Sequence, residues 1–307
     1  PQHIGLPRGC LDAVQQLFRD QGIRCDLRDE RSTGEPLVVT FVGTLRPDQQ
    51  AAAKAMLKND TGVLCAPTAF GKTVTAAAMI ASRGVNTLVL VHRIELLRQW
   101  KERLQSLLSV GPDVVGTVGG GKAKPTGRID VAVMQSLVGR GQRQGEVSAL
   151  VENYGHVIVD ECHHLSAFSF EAILKRAKAK YVLGLTATPV RRDGQQPIIF
   201  MQCGPVRHRV NARVQAAARP FEHFALVQPT SFQPTRAPDA DKRVEFQTLY
   251  QELVSDDERN QRICADVLES INAGRSPLVL TERNDHLDRL ERELVQSVRH
   301  LIVLRAG

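Results

Sequence analysis

One segment of the sequence combines residue types that bind phosphate groups. It reads Ala66-Pro67-Thr68-Ala69-Phe70-Gly71-Lys72-Thr73 and lies between a short apolar run and a stretch with helical periodicity. The segment matches GxxxxGK[ST], a loop whose backbone N–H groups surround phosphate oxygens at a helix N-terminus, except that alanine replaces the first glycine. We therefore expect Pro67 to Thr73 to bind nucleotide phosphates, with Lys72 neutralising the β and γ phosphates and Thr73 ligating Mg²⁺. The alternative is an ordinary strand-to-helix turn.

A pair of acidic residues at the end of a later apolar run is a second candidate site. Asp160 and Glu161 directly follow the run His156-Val157-Ile158-Val159. Parallel sheets bind ligands at the carboxyl ends of their strands. We therefore expect Asp160 to hold Mg²⁺, and Glu161 to orient or deprotonate the water that attacks the γ-phosphate. A solvated acidic strand end is the alternative. Zinc is disfavoured because Cys162-His163-His164 cannot chelate one metal from consecutive positions in regular backbone.

Alternating strands and helices must position these residues. Continuous apolar runs are typical of parallel strands that are covered on both faces, and amphipathic stretches are typical of the helices between them. The predicted strands are Val63–Cys65, Thr87–Val91, Val114–Val118, Ile129–Met134, His156–Val159 and Tyr181–Leu185. The predicted helices are Pro47–Lys58, Lys72–Ser82, Glu95–Leu108 and Phe168–Ala179. The pattern predicts an α/β fold around a parallel sheet.

Four segments follow from shifts in this pattern. Residues 1–44 form a small αβ preface with a helix at Leu11–Gln21 and a strand at Leu37–Phe41. Residues 45–204 form the phosphate-binding domain, and the proline-containing residues 205–241 form a linker or an irregular sheet extension. Residues 242–307 open a second α/β domain that we expect to be truncated. Its predicted elements are helices near Val244–Val254, Glu258–Ile271 and Asp285–Val295, and strands Pro277–Thr281 and Leu301–Leu304.

Composition excludes several classes of protein. Of the 307 residues, 42% are hydrophobic and 24% charged, which are ordinary globular values and exclude disordered, collagen-like and coiled-coil chains. No apolar run approaches the length of a membrane-spanning helix, so we expect no membrane association. The net charge of +7 suits a polyanionic partner without requiring one. Six scattered cysteines predict reduced thiols and a cytoplasmic location.

Taken together, five segments resemble the motifs of superfamily 2 helicases of the DExH kind, closest to the XPB-like branch. They are Leu45-Arg46-Pro47-Asp48-Gln49-Gln50, Ala66 to Thr73, Leu90-Val91-His92-Arg93, Asp160 to His163, and Thr186-Ala187-Thr188-Pro189. The resemblance is dense over residues 45–193 and thin elsewhere. It implies a RecA-like P-loop sheet with helices on both faces and a second RecA-like domain. It also implies adenine recognition by Arg46 and Gln49, and coupling of the nucleotide to nucleic acid by His163, Thr186 and Thr188.

The resemblance further implies contacts with nucleic acid at strand-end loops. The implied residues are His92, Arg93, Gly120, Lys122, Gln135 and Ser136, together with Arg191 and Arg192. The run of glycines before Lys122 is equally compatible with a simple hairpin turn. XPB-like proteins carry Arg-Glu-Asp where this chain has Arg191-Arg192-Asp193, so a strand-opening role is not expected there, although Arg192 could bind a phosphate.

The expected function is that of an ATP- and Mg²⁺-dependent helicase or translocase that acts on single- or double-stranded DNA in preference to RNA, a preference carried by the resemblance alone. The family's arginine-finger motifs have no counterpart before Gly307, so we expect the 307-residue chain to bind nucleotide and hydrolyse it poorly. A nucleic-acid-binding or scaffolding module with a vestigial ATP site is one alternative. Another P-loop enzyme, such as a small-molecule kinase, is a further alternative that leaves Thr186 to Pro189 unexplained.

Overall fold

The computed structural model describes residues 5–139, 145–162, 167–187, 196–211, 224–235 and 243–305. The chain divides into two compact units, Pro1–Pro220 and Phe221–Gly307. No helix in the described ranges is long and apolar enough to cross a membrane.

A single mixed sheet is the centre of the first unit. Its strands among the described residues are β1 (Thr61–Cys65), β2 (Thr87–Val91), β3 (Val115–Gly119), β4 (Lys122–Lys124), β5 (Ile129–Val133), β6 (His156–Val159), β7 (Tyr181–Thr186) and β8 (Val206–Arg209). They lie in the order β4-β3-β5-β2-β6-β7-β1-β8. All neighbours pair in parallel except β3 and β4. The predicted parallel sheet is confirmed.

Both faces of this sheet are buried under helices, as predicted. The α-helices in the described part of the first unit are α1 (Leu11–Asp20), α2 (Pro47–Leu57), α3 (Lys72–Arg83), α4 (Ile94–Leu108), α5 (Ala167–Arg176) and α6 (Gln196–Cys203). Along β2, Val89 and Val91 pack in a core with α2, α3 and α4, whereas Leu88 and Leu90 pack in a second core with α5 and α6. Successive strand residues face opposite sides, so burial of both faces explains why the strand is continuously apolar.

The predicted strand Leu37–Phe41 is wrong. These residues form no strand, and the Leu37 side chain is buried against the core shared by α2, α3 and α4. Their neighbouring backbone bonds go to helix ends, since the N–H of Leu37 donates to the Gly84 oxygen at 2.8 Å and the N–H of Val42 donates to the Leu107 oxygen at 2.9 Å. The last carbonyl groups of a helix lack intrahelical partners, so they can accept hydrogen bonds from the N–H groups of this segment. The segment therefore does not need to pair with a strand.

Within residues 205–241, predicted to be a linker or an irregular sheet extension, the strand β8 extends the sheet, although its bounds were not predicted. It pairs in parallel with β1 at the edge of the sheet, and the N–H of Val210 continues the pairing to the Cys65 oxygen at 2.8 Å. The sequence of the strand, Val-Arg-His-Arg, is largely polar because an edge strand has one neighbour and tolerates charged side chains. The hydrophobic pattern therefore gives no sign of it.

The described part of the second unit is helical. It contains α7 (Arg243–Ser255), α8 (Asp257–Asn272) and α9 (Asn284–Leu294), and Cys264, Val267, Leu290 and Leu294 form its core. The predicted strands Pro277–Thr281 and Leu301–Leu304 are not formed among the described residues. Leu278, Leu280, Ile302 and Leu304 are each about four-fifths exposed. A strand is stable only with ladder partners and a covered face, which these segments do not have here.

Candidate nucleotide-binding site

The phosphate loop joins β1 to α3, as the sequence predicts. The loop runs from Ala66 to Gly71, and α3 begins at Lys72. Two of its residues have left-handed backbone conformations, Ala69 with φ 68° and Gly71 with φ 88°. A Cβ atom on Gly71 would lie 2.5 Å from Nε2 of Gln49, so glycine is needed there for space as well as for conformation. The loop therefore leads into the N-terminus of α3, where the first N–H groups of a helix lack intrahelical partners.

Alanine replaces the first glycine of the motif without disturbing the loop. Ala66 is fully buried in the core shared by α2, α3 and α4. Its N–H donates to the carbonyl oxygen of Thr186 at 2.9 Å, which extends the pairing of β1 with β7 by one residue. Because this position continues the sheet, a small side chain can point into the core and the turn itself begins later.

Arg46 and Gln49 hold the carbonyl group of Phe70. The Arg46 guanidinium donates to the Phe70 oxygen at 2.7 Å, and Nε2 of Gln49 donates to the same oxygen at 2.8 Å. The backbone N–H of Arg46 donates in turn to Oε1 of Gln49 at 3.0 Å, which caps the start of α2. Gln49 is 2% exposed, whereas the Arg46 side chain is half-exposed. Both residues brace the phosphate loop, an arrangement that the sequence does not reveal.

The lysine of the loop and the second residue of the acidic pair are in contact. Nζ of Lys72 lies 3.2 Å from Oε1 of Glu161 and 3.3 Å from the carbonyl oxygen of Ala66. Lys72 is 9% exposed, so its charge is neutralised by a carboxylate in a largely desolvated place. Glu161 has φ 46°, a left-handed conformation that is strained for a residue with a side chain and is typical of functional sites.

Asp160 is held through both carboxylate oxygens. The Glu161 N–H donates to its Oδ1 at 3.0 Å, and Nε1 of Trp100 donates to its Oδ2 at 2.7 Å. Burial raises the pKa of the Asp160 carboxyl, and the Trp100 hydrogen bond partly offsets that rise. The donor to Asp160 is a residue that sequence reasoning missed, because an aromatic residue on an apolar helix face is typical of a core position. The only available signal is that a buried indole N–H needs a partner.

The structure describes only some of the predicted Mg²⁺-binding and coupling residues. Thr73 is partly buried at the second position of α3, directly after the loop, and its role as an Mg²⁺ ligand stays a prediction. Thr186 is fully buried at the end of β7, where its carbonyl group accepts the Ala66 N–H. His163, Thr188, Arg191 and Arg192 lie outside the described residues.

The predicted nucleic-acid residues follow three other strands of the sheet. His92 and Arg93 follow β2, Gly120 and Lys122 surround the turn after β3, and Gln135 and Ser136 follow β5. All except the partly buried His92 are exposed. Since β3, β5 and β2 are consecutive in the sheet, their carboxyl ends share one half of the edge, next to the half formed by β6, β7 and β1. The structure thus groups these residues beside the nucleotide site.

The glycine run forms a hairpin. Gly120, with φ 59°, and Gly121, with φ 77°, join Gly119 to Lys122 across the antiparallel pair β3–β4. Two positive φ values are typical of the two-residue turns that fit the twist of a hairpin. The run is therefore a turn with Lys122 exposed on it, and contact of this turn with nucleic acid stays a prediction.

Comparison with known families shows which protein family this part of the chain resembles. Residues 43–191, which include the loop, the acidic pair and the strand ends described above, match the family described as "Type III restriction enzyme, res subunit" (ResIII). Residues 43–191 are therefore similar to the ResIII family. The resemblance to helicases is therefore confirmed for this domain.

Curated relatives with similar sequences are named as XPB proteins. The chain is 36% identical over 196 residues to "DNA 3'-5' translocase XPB2" of Sulfurisphaera tokodaii, covering 64% of this chain and 42% of the relative. It is 29% identical over 262 residues to "DNA 3'-5' helicase XPB" of Mycobacterium tuberculosis, covering 81% of this chain and 45% of the relative. The chain spans less than half the length of these relatives.

A solved structure with a similar fold is the UvsW helicase from bacteriophage T4. The match has a TM-score of 0.50 and 17% identity, and it covers 65% of this chain and 78% of that chain. At this identity the likeness concerns the fold alone, which is that of the helicase RecA-like domain predicted from the sequence.

Proposed function

We propose that this chain is an ATP-dependent motor that moves along nucleic acid, with DNA preferred to RNA. The observation that carries the proposal is the arrangement of Lys72, Asp160 and Glu161 at one edge of a parallel sheet within residues 43–191, which are similar to the ResIII family. The preference for DNA rests on the relatives, whose names describe DNA translocases and helicases.

The residues of the site fit a nucleotide and Mg²⁺. The loop from Pro67 to Gly71 and the first turn of α3 offer backbone N–H groups, and Lys72 offers a positive charge, all suited to phosphate oxygens. Thr73 offers a hydroxyl group and Asp160 a carboxylate, which are oxygen ligands of the kind that Mg²⁺ prefers. The bound ion would neutralise negative charge on the phosphates.

We also propose that Arg46, on the exposed side of the loop brace, contacts the adenine base. Gln49, which the resemblance also implied for adenine recognition, is buried with its amide hydrogen-bonded to Arg46 and Phe70, so we propose that it acts by holding the loop.

The chain's own residues would then change partners. A γ-phosphate near Lys72 competes with Glu161 for the lysine, and its binding frees the Glu161 carboxylate to accept a proton from the attacking water. The Thr186 carbonyl oxygen accepts the Ala66 N–H at the start of the loop. Movement of β7 or of the segment after it would therefore shift the loop that binds the phosphates.

The other half of the sheet edge is our proposed nucleic-acid surface. Arg93 and Lys122 would neutralise backbone phosphates, and Gly120 would let the backbone approach closely. His92, Gln135 and Ser136 would add hydrogen bonds. Residues 242–307 would open the second RecA-like domain, and the six free cysteines suit a reducing, cytoplasmic location.

Nucleotide-linked DNA binding tests the proposal. The affinity of the chain for a fluorescent DNA duplex would be measured with and without Mg²⁺ and the ATP analogue AMP-PNP, beside Lys72→Ala, and repeated with single-stranded DNA and RNA. We expect the analogue to change DNA affinity by about 5- to 150-fold in the wild type and not in the variant. Identical affinities with and without the analogue would count against a motor. A larger effect of the analogue on the affinity for RNA than on the affinity for duplex or single-stranded DNA would overturn the proposed preference for DNA.

A further inference from the structure

Trp100 and Asp160 form a buried hydrogen bond beside the proposed Mg²⁺ site. Trp100 is the only tryptophan in the sequence. It is 2% exposed, Asp160 is 7% exposed, and Nε1 of the indole lies 2.7 Å from Oδ2 of the carboxylate. A hydrogen bond from a neutral donor to a carboxylate in a desolvated place is among the stronger hydrogen bonds in proteins.

The same supersecondary unit holds Asp160 at a second point. The backbone N–H of Asp160 donates to the carbonyl oxygen of Leu90 on β2 at 2.9 Å. The strand β2 leads through His92 and Arg93 directly into α4, the helix that carries Trp100. The loop of the β2–α4 unit therefore carries proposed nucleic-acid residues. The same unit forms hydrogen bonds with both the backbone and the side chain of the proposed Mg²⁺ ligand.

We infer that Trp100 is a positioning residue whose indole N–H orients the Asp160 carboxylate for hydrated Mg²⁺ and ties that carboxylate to the helix behind the His92–Arg93 loop. This inference rests on the proposed function, since it assigns a role within the same site. Each Asp160 oxygen accepts one hydrogen bond from the protein and keeps a lone pair, so the carboxylate is fixed in orientation and can still accept from a water ligand of the ion.

Core packing alone would not require tryptophan at this position. Leu97, Leu104 and Leu108 share the buried face of α4 and contribute only apolar surface. A leucine or phenylalanine could fill the place of Trp100 but would leave Oδ2 of Asp160 without this donor. Groups that orient a metal ligand typically change metal affinity by about 10- to 100-fold when they are removed.

The test separates the N–H group from the ring. Affinity for Mg²⁺ would be measured from the binding of fluorescent AMP-PNP at a fixed concentration, in the wild type, in Trp100→Phe, and in protein whose tryptophan is replaced by benzothienylalanine. The last replacement keeps the bicyclic shape and exchanges the N–H for sulfur, and it alters one position only because the chain has one tryptophan. Leu104→Ala is the control, since it loosens α4 from the core and removes neither hydrogen bond to the Asp160 carboxylate.

We expect Mg²⁺ to bind about 10- to 100-fold more weakly in both Trp100 replacements, with nucleotide binding in EDTA unchanged, and within about 2-fold of the wild type in Leu104→Ala. We also expect Mg²⁺ to change the emission of Trp100 in the wild type in the presence of AMP-PNP, and Asp160→Asn to abolish that change. If the benzothienylalanine protein binds Mg²⁺ as the wild type does, the inference is wrong while the proposed function stands. If the wild type itself binds no Mg²⁺–nucleotide, both fail.

Discussion

The ammonium group of Lys72 lies 3.2 Å from Oε1 of Glu161, so the residue expected to bind phosphate is paired with the residue expected to activate water. Each group stabilises the charge of the other in a largely buried place. Nucleotide binding must replace this pair with a contact between Lys72 and phosphate. The structure therefore links phosphate binding to release of the carboxylate.

This competition predicts opposite effects of Glu161→Gln on binding and on hydrolysis. Removing the carboxylate charge frees Lys72, so we expect AMP-PNP to bind as tightly as in the wild type or several-fold tighter. Loss of the general base should slow ATP hydrolysis by about 10²- to 10⁴-fold. Equilibrium binding and steady-state phosphate release measure the two effects. Glu171→Gln, which removes a carboxylate paired with Lys175 on α5, should change neither. Weaker binding in Glu161→Gln would show that the pair does not compete with phosphate.

Gly71 offers a test of the loop geometry with a matched control. Gly71→Ala and Gly121→Ala both place a side chain at a positive φ, which costs about 1–2 kcal/mol. Only the first places the new Cβ near Gln49, whereas nothing lies within 4 Å of the second. We therefore expect comparable losses of unfolding free energy from backbone strain, and loss of nucleotide binding in Gly71→Ala alone. Denaturant unfolding and AMP-PNP titration would measure these, and equal nucleotide binding in both variants would refute the described loop.

The brace on the Phe70 carbonyl predicts different results for its two donors. Gln49→Ala removes a buried side chain that bonds both Phe70 and the start of α2, so it should lower the free energy of unfolding by about 1–3 kcal/mol. It should weaken the binding of ATP and the binding of GTP equally. Arg46→Ala removes the half-exposed donor proposed to contact adenine, so it should weaken the binding of ATP more than the binding of GTP. Competition titrations with both nucleotides measure the ratio. The exposed Gln50→Ala is the control, and an unchanged ATP-to-GTP ratio in Arg46→Ala would exclude adenine recognition by that residue.

His156 predicts a pH dependence of stability that is separate from catalysis. Burial, together with the nearby charge of Arg83, lowers the pKa of His156 to about 3. The unfolded chain binds a proton near pH 6.5 and the folded chain does not, so the free energy of unfolding falls as the pH drops from about 6.5 towards 3, by at most about 1.4 kcal/mol per pH unit from this group. His156→Gln should flatten this part of the profile in urea unfolding. His300→Gln, at an exposed position, controls for loss of a histidine. Profiles of equal slope for His156→Gln and the wild type would contradict the prediction.

The parts of the fold that the sequence predicts are those whose cause is local. Strands β2 and β6 have the predicted bounds because burial on both faces makes each a continuous apolar run. The contact of Lys72 with Glu161 follows from two motifs that the parallel sheet brings to one edge.

The parts that it misses depend on partners distant in the sequence. The apolar run Leu37–Phe41 is typical of a strand, yet its backbone neighbours are the ends of α3 and α4. Strand β8 is polar because it lies at an edge, so no hydrophobic pattern marks it. Trp100 lies on a leucine-rich helix face, and its role is visible only once Asp160 is beside it.

The central claim is that nucleic acid stimulates ATP hydrolysis at this site. It is tested most directly by the rate of phosphate release from ATP. The rate would be measured for the chain joined to a complete second RecA-like domain, which supplies the arginine-finger motifs, alone and with duplex DNA, single-stranded DNA and RNA, each beside Glu161→Gln. We predict slow hydrolysis without nucleic acid, acceleration by DNA that exceeds any acceleration by RNA, and no acceleration in the variant. Hydrolysis no faster than in Glu161→Gln under every condition, with DNA binding retained, would contradict the account and favour a nucleic-acid-binding module.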